Sequence, residues 1–286
     1  MRSKIIIGTL GAICVASGIL YAKTGASSEA DLASFTNEGL SAQSISIMNC
    51  AKPVSGLTEY KTYTCPVGGE TFDVLTYVGA TPELKTMDLR PVSDFSFPAP
   101  LPICPSNGFV IDKSDYTEAE LASRVSILSD PEYKEKLTQN LPSHVVGLEF
   151  LSRLPMEEAG DHFDVPYMAL QSAWEAEACG SDTYPEHARV AASILTHEVR
   201  SSKTPFPLRM AYAPAVPDLA RKAGLFETSI QLIEDTCRCV MVPVMHVLMS
   251  KVRRAAEAED VNDIIVSPDD PELAEFVKSD LTEKSY

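Results

Sequence analysis

Residues 114–120 read Ser-Asp-Tyr-Thr-Glu-Ala-Glu and mark the point where the chain changes from a β-rich to a helical pattern. Acidic residues here precede the first apolar positions of helical spacing, which places negative charge at the positive end of the helix dipole. Serine and threonine in the same stretch are typical helix N-cap residues. The sequence therefore predicts an α+β protein that is divided near residue 114.

The stretch before this point, residues 59–113, has the pattern of short strands and tight turns. Aromatic and β-branched residues alternate there with Gly and Pro, which favours strands over helices. Five prolines between residues 91 and 105 prevent any helix from crossing that segment. We therefore predict a small β-rich or irregular domain over residues 59–113.

The stretch after it, residues 114–258, has apolar residues at helical spacing, and prolines and glycines delimit its segments. The predicted helices after the first cover 132–139, 143–154, 165–179, 185–202, 207–224 and 226 to about 258. Pro214, Pro217 and Pro243 fall inside the last two segments and predict kinks there. Residues 259–286 are predicted to form an acidic C-terminal tail.

Two turns in the β-rich region share one pattern, Cys65-Pro66-Val67-Gly68-Gly69 and Cys104-Pro105-Ser106-Asn107-Gly108. In a zinc knuckle the fourth position carries a second cysteine, and here that position holds glycine or asparagine. With residues 63–72, 88–91 and 115–116, these turns resemble an uncharacterised bacterial family in which a two-knuckle zinc ribbon precedes tetratricopeptide-like helices. The resemblance continues at 167–175 and 217–227, and it covers about residues 60 to 235.

The resemblance implies a degenerate ribbon domain followed by a helical array, and it implies no reaction. Family metal ligands match only Cys65 and Cys104, whereas a structural zinc site requires four ligands. The resemblance further implies that the two opposed turns hold these thiols within bonding distance. We therefore predict a Cys65–Cys104 disulfide and no cofactor, with zinc on Cys65 and Cys104 as the alternative.

The N-terminus has the pattern of an export signal, because two basic residues precede the uncharged apolar run 5–22 and small residues follow it. The favoured interpretation is a signal peptide, residues 1–26, cut after Ala26, followed by a flexible tether over 27–58. The alternative is an uncleaved anchor, in which residues 5–22 would be the only contact with the membrane.

Export would leave six of the seven cysteines in an oxidising compartment, the periplasm, where disulfides form. Beyond the predicted pair, four cysteines are candidates for a further disulfide: Cys50, Cys179, Cys237 and Cys239. Cys237 and Cys239 are two positions apart on a predicted helix and point away from each other. Bonds from either to Cys179 or Cys50, or buried thiols, are the open alternatives.

A formal net charge of −16 argues against nucleic acid and anionic membrane surfaces as partners. The sequence has no glycine-rich phosphate loop, no nucleophile elbow, and a His-Glu pair at 197–198 without the second histidine of a metalloprotease helix. We therefore predict an exported, non-catalytic protein that binds an unidentified protein or peptide. The alternatives are a periplasmic thiol-dependent or hydrolytic enzyme without a recognisable motif, and a zinc-binding structural protein.

Overall fold

A computed structural model describes residues 45–78, 84–94, 97–155, 165–239, 243–267 and 270–272. The predicted signal peptide 1–26, the tether up to residue 44 and the tail from residue 273 lie outside these residues. Within the described ranges, no helix combines the length and the apolar character needed to cross a membrane. The described chain is a mixture of α and β structure, as the sequence predicts, with eight helices and several short strands.

The strands form three small sheets. Their bounds are β1 Ile47–Met48, β2 Thr58–Thr64, β3 Thr71–Tyr77, β4 Leu84–Thr86, β5 Pro91–Val92, β6 Leu141–Pro142 and β7 Ile265–Val266. Strands β2 and β3 form an antiparallel hairpin, β1 pairs in parallel with β6, and β4 lies between β5 and β7. Two of the two-residue strands, β5 and β6, contain a proline, which cannot donate to a strand ladder and so limits their pairing.

The helices follow from residue 118 onward. Their bounds are α1 Glu118–Leu128, α2 Pro131–Leu137, α3 Ser143–Leu151, α4 Val165–Ala178, α5 Tyr184–Arg200, α6 Phe206–Lys222, α7 Phe226–Cys239 and α8 Pro243–Glu257. Helix α1 begins with a capping box, in which Thr117 and Glu120 each accept a hydrogen bond from the other's backbone N–H. Asp130 caps α2, and Pro131 follows at its first position. Local chemistry therefore sets both helix starts.

Helix α6 runs without a break from Phe206 to Lys222, although Pro214 and Pro217 lie inside it. The sequence predicts a kink or an irregular turn there, because each proline removes one intrahelical hydrogen bond, and the helix nevertheless continues through both prolines. Every residue from 212 to 222 is buried, so packing on all sides holds the helical path and compensates for the lost bonds. Pro243 instead lies at the first position of α8, where proline is favoured.

Two buried apolar clusters form the core. The first joins the knuckle turns to α1, α2 and α3, and includes Phe109, Tyr133 and Phe150. The second is formed by α4 to α8 around Trp174 and Leu195, and it also contains Met87 from the β-rich region. From α3 to α8, each helix packs against its neighbour in sequence. Such sequential packing is expected of helices joined by short loops.

The structure ties both flanking segments to this body. Strand β1 pairs with β6, and Cys50 bonds to Cys179, so residues 45–50 are anchored and not part of a free tether. Strand β7 pairs with β4, so the beginning of the predicted tail is anchored as well. The sequence gives little sign of these contacts because each of them joins residues far apart along the chain.

Candidate functional site

The two knuckle turns have the same backbone hydrogen bonds. In the first turn, the Cys65 amide donates to the Glu70 carbonyl (2.8 Å) and the Gly69 amide to the Cys65 carbonyl (3.2 Å). In the second, the Cys104 amide donates to Phe109 and the Gly108 amide to Cys104, both at 2.9 Å. Gly69 and Gly108 both have left-handed φ angles, of 73° and 77°. Only glycine adopts such angles without steric cost, which explains its place at the fifth position.

The structure brings together the two first cysteines of these turns. Cys65 and Cys104 form a disulfide with their Cα atoms 5.7 Å apart, and both residues are buried. The two fourth positions also lie close together, because a Cβ on Gly68 would be 3.6 Å from Asn107 Nδ2. Asn107 bridges the turns, as its Nδ2 donates to the Val67 carbonyl (2.6 Å) and its Oδ1 accepts from the Phe109 amide (2.9 Å). A side-chain amide therefore occupies one of the missing ligand positions.

Glu70 adds one further potential metal donor beside the disulfide. A carboxylate oxygen of Glu70 and the sulfur atoms of Cys65 and Cys104 lie within 4.8 Å of one another. Ser106 donates to this carboxylate through its hydroxyl (2.6 Å) and its amide (3.1 Å). The three donors fit a thiolate-rich zinc site only after the disulfide is reduced, because the metal ligand is a thiolate. A fourth ligand would then come from water.

Cys50 and Cys179 form a second disulfide, with Cα atoms 5.2 Å apart. It connects the segment after β1 to the end of α4, where the Cys179 amide donates to the Glu175 carbonyl. This pairing leaves neither cysteine for a bond to Cys237 or Cys239, which the sequence had left open. The backbone of Cys237 and Cys239 ends α7, and their side chains lie outside the described part of the chain.

A buried cluster of Ser143, His144 and Glu175 contains the residue types of a catalytic triad. Glu175 accepts from the Ser143 hydroxyl (2.8 Å) and the His144 amide (2.6 Å), and its Oε2 lies 3.0 Å from His144 Nδ1. In a triad the serine hydroxyl donates to the histidine ring, whereas here it donates to the carboxylate. Ser143 also accepts a hydrogen bond from the Leu101 amide (2.8 Å).

The position of this cluster explains its geometry. Ser143 and His144 are the first residues of α3, where backbone N–H groups lack partners within the helix. The charge of Glu175, which reaches them from α4, is stabilised by these donors and by the positive end of the dipole. The cluster therefore caps α3 from the neighbouring helix, and its members are buried. The sequence did not reveal it, because 32 positions separate Ser143 from Glu175.

A second buried polar cluster surrounds Lys222 at the end of α6. Its ammonium group contacts the carboxylates of Asp88 (3.2 Å), Glu177 (2.8 Å) and Asp263 (2.7 Å). Arg90 also forms ion pairs with Glu177 and Asp263. Burial lowers the pKa of Lys222, but the nearby carboxylates, Asp88 first, outweigh burial and hold it above its usual range. Lys222 is therefore a fixed cation and not a neutral nucleophile.

The adjacent Arg221 holds the C-terminal segment. It donates to Asp218 Oδ1 through two nitrogen atoms (2.9 and 2.7 Å), to the Asn262 carbonyl (2.8 Å) and to the Asp260 carbonyl. Burial, with the charge of Asp88 second, raises the pKa of Asp218 to about 7. The other oxygen of Asp218 is buried without a partner among the described residues. A cavity of about 630 Å³ borders Lys222 and Asp263 on the solvent side.

The remaining histidines of the described chain do not join these clusters. His187 is half-buried between α5 and its neighbours, and burial lowers its pKa. His197 and His246 are exposed on helix surfaces, and His162 lies outside the described ranges.

No family model, curated protein or solved structure matches this chain.

Proposed function

We propose that this chain is an exported, disulfide-stabilised protein that binds another protein or a peptide and catalyses no reaction. The observation that carries the proposal is the inward-facing cluster of Ser143, His144 and Glu175. These groups have the residue types needed for hydrolysis, but they cap α3 and are buried, and Ser143, although it borders the cavity beside β3, is only 1% exposed. The Ser143 hydroxyl donates to Glu175 (2.8 Å) and lies farther from His144 Nδ1 (3.4 Å), so its order of contacts is that of a helix cap and not that of a triad, in which the serine donates to the histidine.

Lys222 and the paired cysteines support the same proposal. The ammonium group of Lys222 already contacts three carboxylates, and a charged lysine does not attack a carbonyl. Cys65 and Cys104 are buried, whereas the reactive thiols of redox enzymes are exposed and have a lowered pKa. In the described chain, these reactive types of side chain therefore stabilise the fold, Lys222 through ion pairs and Cys65 and Cys104 through their disulfide.

Two disulfides favour a location outside the cytoplasm, because thiols in the cytoplasm are kept reduced. This supports export through the signal predicted at residues 1–26. We further propose that residues 59–113 are a zinc ribbon that has lost its metal, with the disulfide in its place. The matching backbone bonds of the two turns support this proposal, and the sequential packing of α4 to α8 supports a tetratricopeptide-like array.

Photo-crosslinking in the exporting cell tests the binding proposal. A photoreactive phenylalanine analogue is placed at Tyr60, which is 64% exposed, or at Phe206, which is 51% exposed. Glu132, whose side chain is 83% exposed, serves as the polar control position. We expect an adduct from one aromatic position whose crosslinks map to one segment of one partner, and none from the control. No adduct from either, with substrate turnover that Ser143→Ala abolishes, would establish the enzyme alternative.

The zinc-binding alternative has one favourable observation, the approach of Glu70 to Cys65 and Cys104. A dithiol reductant would convert the disulfide to two thiols and itself become a disulfide, and zinc would then displace two protons. Elemental analysis before and after reduction measures bound zinc directly. One equivalent in the oxidised protein would contradict the disulfide proposal. Zinc that appears only on reduction and is weakened by Glu70→Gln would identify this trio as a metal site.

A further inference from the structure

The hairpin β2–β3 has an open edge that faces a cavity. The bonds at its two ends, Cys65 amide to Glu70 carbonyl and Val78 amide to Leu57 carbonyl (3.0 Å), fix which residues bond across the hairpin. Residues of an antiparallel pair alternate between bonded and non-bonded positions. The backbone groups of Asp73 and Leu75 in β3 therefore point away from β2. Neither residue's amide or carbonyl has a hydrogen-bond partner elsewhere in the described ranges.

The cavity beside this edge has a volume of about 290 Å³, and four consecutive residues of β3, 72–75, border it. Successive side chains of a strand point to opposite faces, so a run of four consecutive lining residues is expected where the edge of the strand borders the cavity. Ile47 and Met48 of β1 also line the cavity, and β1 has a strand neighbour, β6, on one side only. Two strands that each have one unpaired edge in the described structure therefore border this cavity.

The chemistry of the cavity selects its occupant. Most of its other lining residues are apolar, such as Ile45, Leu101 and Ile103. Asp73 is the one charged residue among those that line it, and the chain as a whole is acidic. An unpaired strand edge can form backbone hydrogen bonds with an extended peptide, and an apolar lining can bind its apolar side chains. The carboxylate of Asp73 attracts a positively charged side chain.

We infer that this cavity, the β3 slot, binds an extended, lysine- or arginine-containing peptide segment of a partner protein. The segment adds as a strand along β3, bonds to the amides and carbonyls of Asp73 and Leu75, and places apolar side chains in the slot. A basic side chain lies beside Asp73. The inference rests on the proposed binding function and gives it a site. The outer edge of β2 is a poorer candidate, because exposed Glu59 and Lys61 blunt it and β2 contributes only Tyr60 to the lining of the cavity, whereas β3 contributes four residues.

Amide hydrogen exchange measured by NMR tests the β3 slot. The probe is an acetylated and amidated peptide, Lys-Val-Thr-Val-Lys, and the control peptide carries Pro in place of Thr and lacks the central donor. We expect exchange of the Asp73 and Leu75 amides to slow by about tenfold or more at saturating probe, and not with the control. Protection along β2 instead, at Tyr60 and Thr62, would overturn the inference, as would no protection at all.

Two matched charge-reversal variants on the same hairpin control for effects of the substitution on folding. Asp73→Lys reverses the charge beside the slot, and Glu59→Lys makes the same reversal on the same hairpin away from it. We expect about fivefold weaker probe binding for Asp73→Lys only, the size of a surface ion pair and its reversal. Equal effects of both variants would show general attraction to an acidic protein and refute the slot. If the slot fails while Phe206 still crosslinks to one partner, the binding function stands with a different site.

Discussion

The contribution of each disulfide to stability should increase with the logarithm of the length of the loop that it closes. Cys65 and Cys104 are separated by 39 positions, and Cys50 and Cys179 by 129. In the chain-entropy treatment, such loops correspond to about 4 and about 5 kcal/mol of free energy of unfolding at 25 °C. The longer loop should therefore contribute about 1 kcal/mol more, because its closure removes more freedom from the unfolded chain.

The measurement isolates one disulfide at a time. A variant with Cys50→Ala and Cys179→Ala retains the knuckle pair, and a variant with Cys65→Ala and Cys104→Ala retains the other. Equilibrium urea unfolding of each variant, with and without a dithiol reductant, gives the contribution of its remaining bond. Reduction hardly changes the volume of the two cysteine side chains, so it creates no cavity. The measured difference therefore depends little on how deeply each cysteine pair is buried.

Two results would refute this reasoning. If reduction leaves the free energy of unfolding unchanged in either variant, that disulfide is not formed or does not constrain the unfolded chain. If the knuckle pair contributes clearly more than the Cys50–Cys179 pair, native-state packing and not loop closure determines the ranking.

The buried polar clusters give three further predictions. Lys222→Met should lower the free energy of unfolding by about 3 to 5 kcal/mol, because it leaves buried Asp88 unpaired; a urea midpoint equal to wild type would contradict this. Glu175→Ala should cost about 3 kcal/mol and Ser143→Ala only about 1, measured in the same way, because Glu175 accepts three of the cluster's contacts. Asp218 has a raised pKa of about 7 in the folded state, so it binds its proton more tightly there than in the unfolded chain. The stability that this proton contributes is therefore lost as the pH rises from about 4 to about 7. The stability of wild type relative to Asp218→Asn should therefore fall across that window, and a flat or rising difference would exclude Asp218 as the titrating group.

Features set by neighbouring residues could be predicted from the sequence. The capping box of Thr117 and Glu120 and the cap at Asp130 each need only residues two or three positions apart. The repeated Cys-Pro-x-x-Gly turns gave the resemblance from which the Cys65–Cys104 pairing followed. These signals depend on short-range geometry that residue type alone specifies.

Features that depend on distant contacts could not be predicted. Lys222 and Asp88 are 134 positions apart, and nothing in either residue's surroundings indicates that they meet. The continuous course of α6 through Pro214 and Pro217 depends on burial from all sides, which overrides the local cost of proline. The edge of β3 is unpaired because no second strand lies beside it in the described structure, and a sequence pattern cannot predict that a neighbouring strand is absent.

The proposed export and disulfide pairing are tested most directly by a peptide-mapping mass measurement, without reduction, on protein recovered from the cell envelope. We expect a chain that begins after Ala26, with Cys65 joined to Cys104 and Cys50 joined to Cys179. Free thiols at Cys65 and Cys104 in an otherwise intact chain, or a zinc ion bound to them, would contradict this pairing.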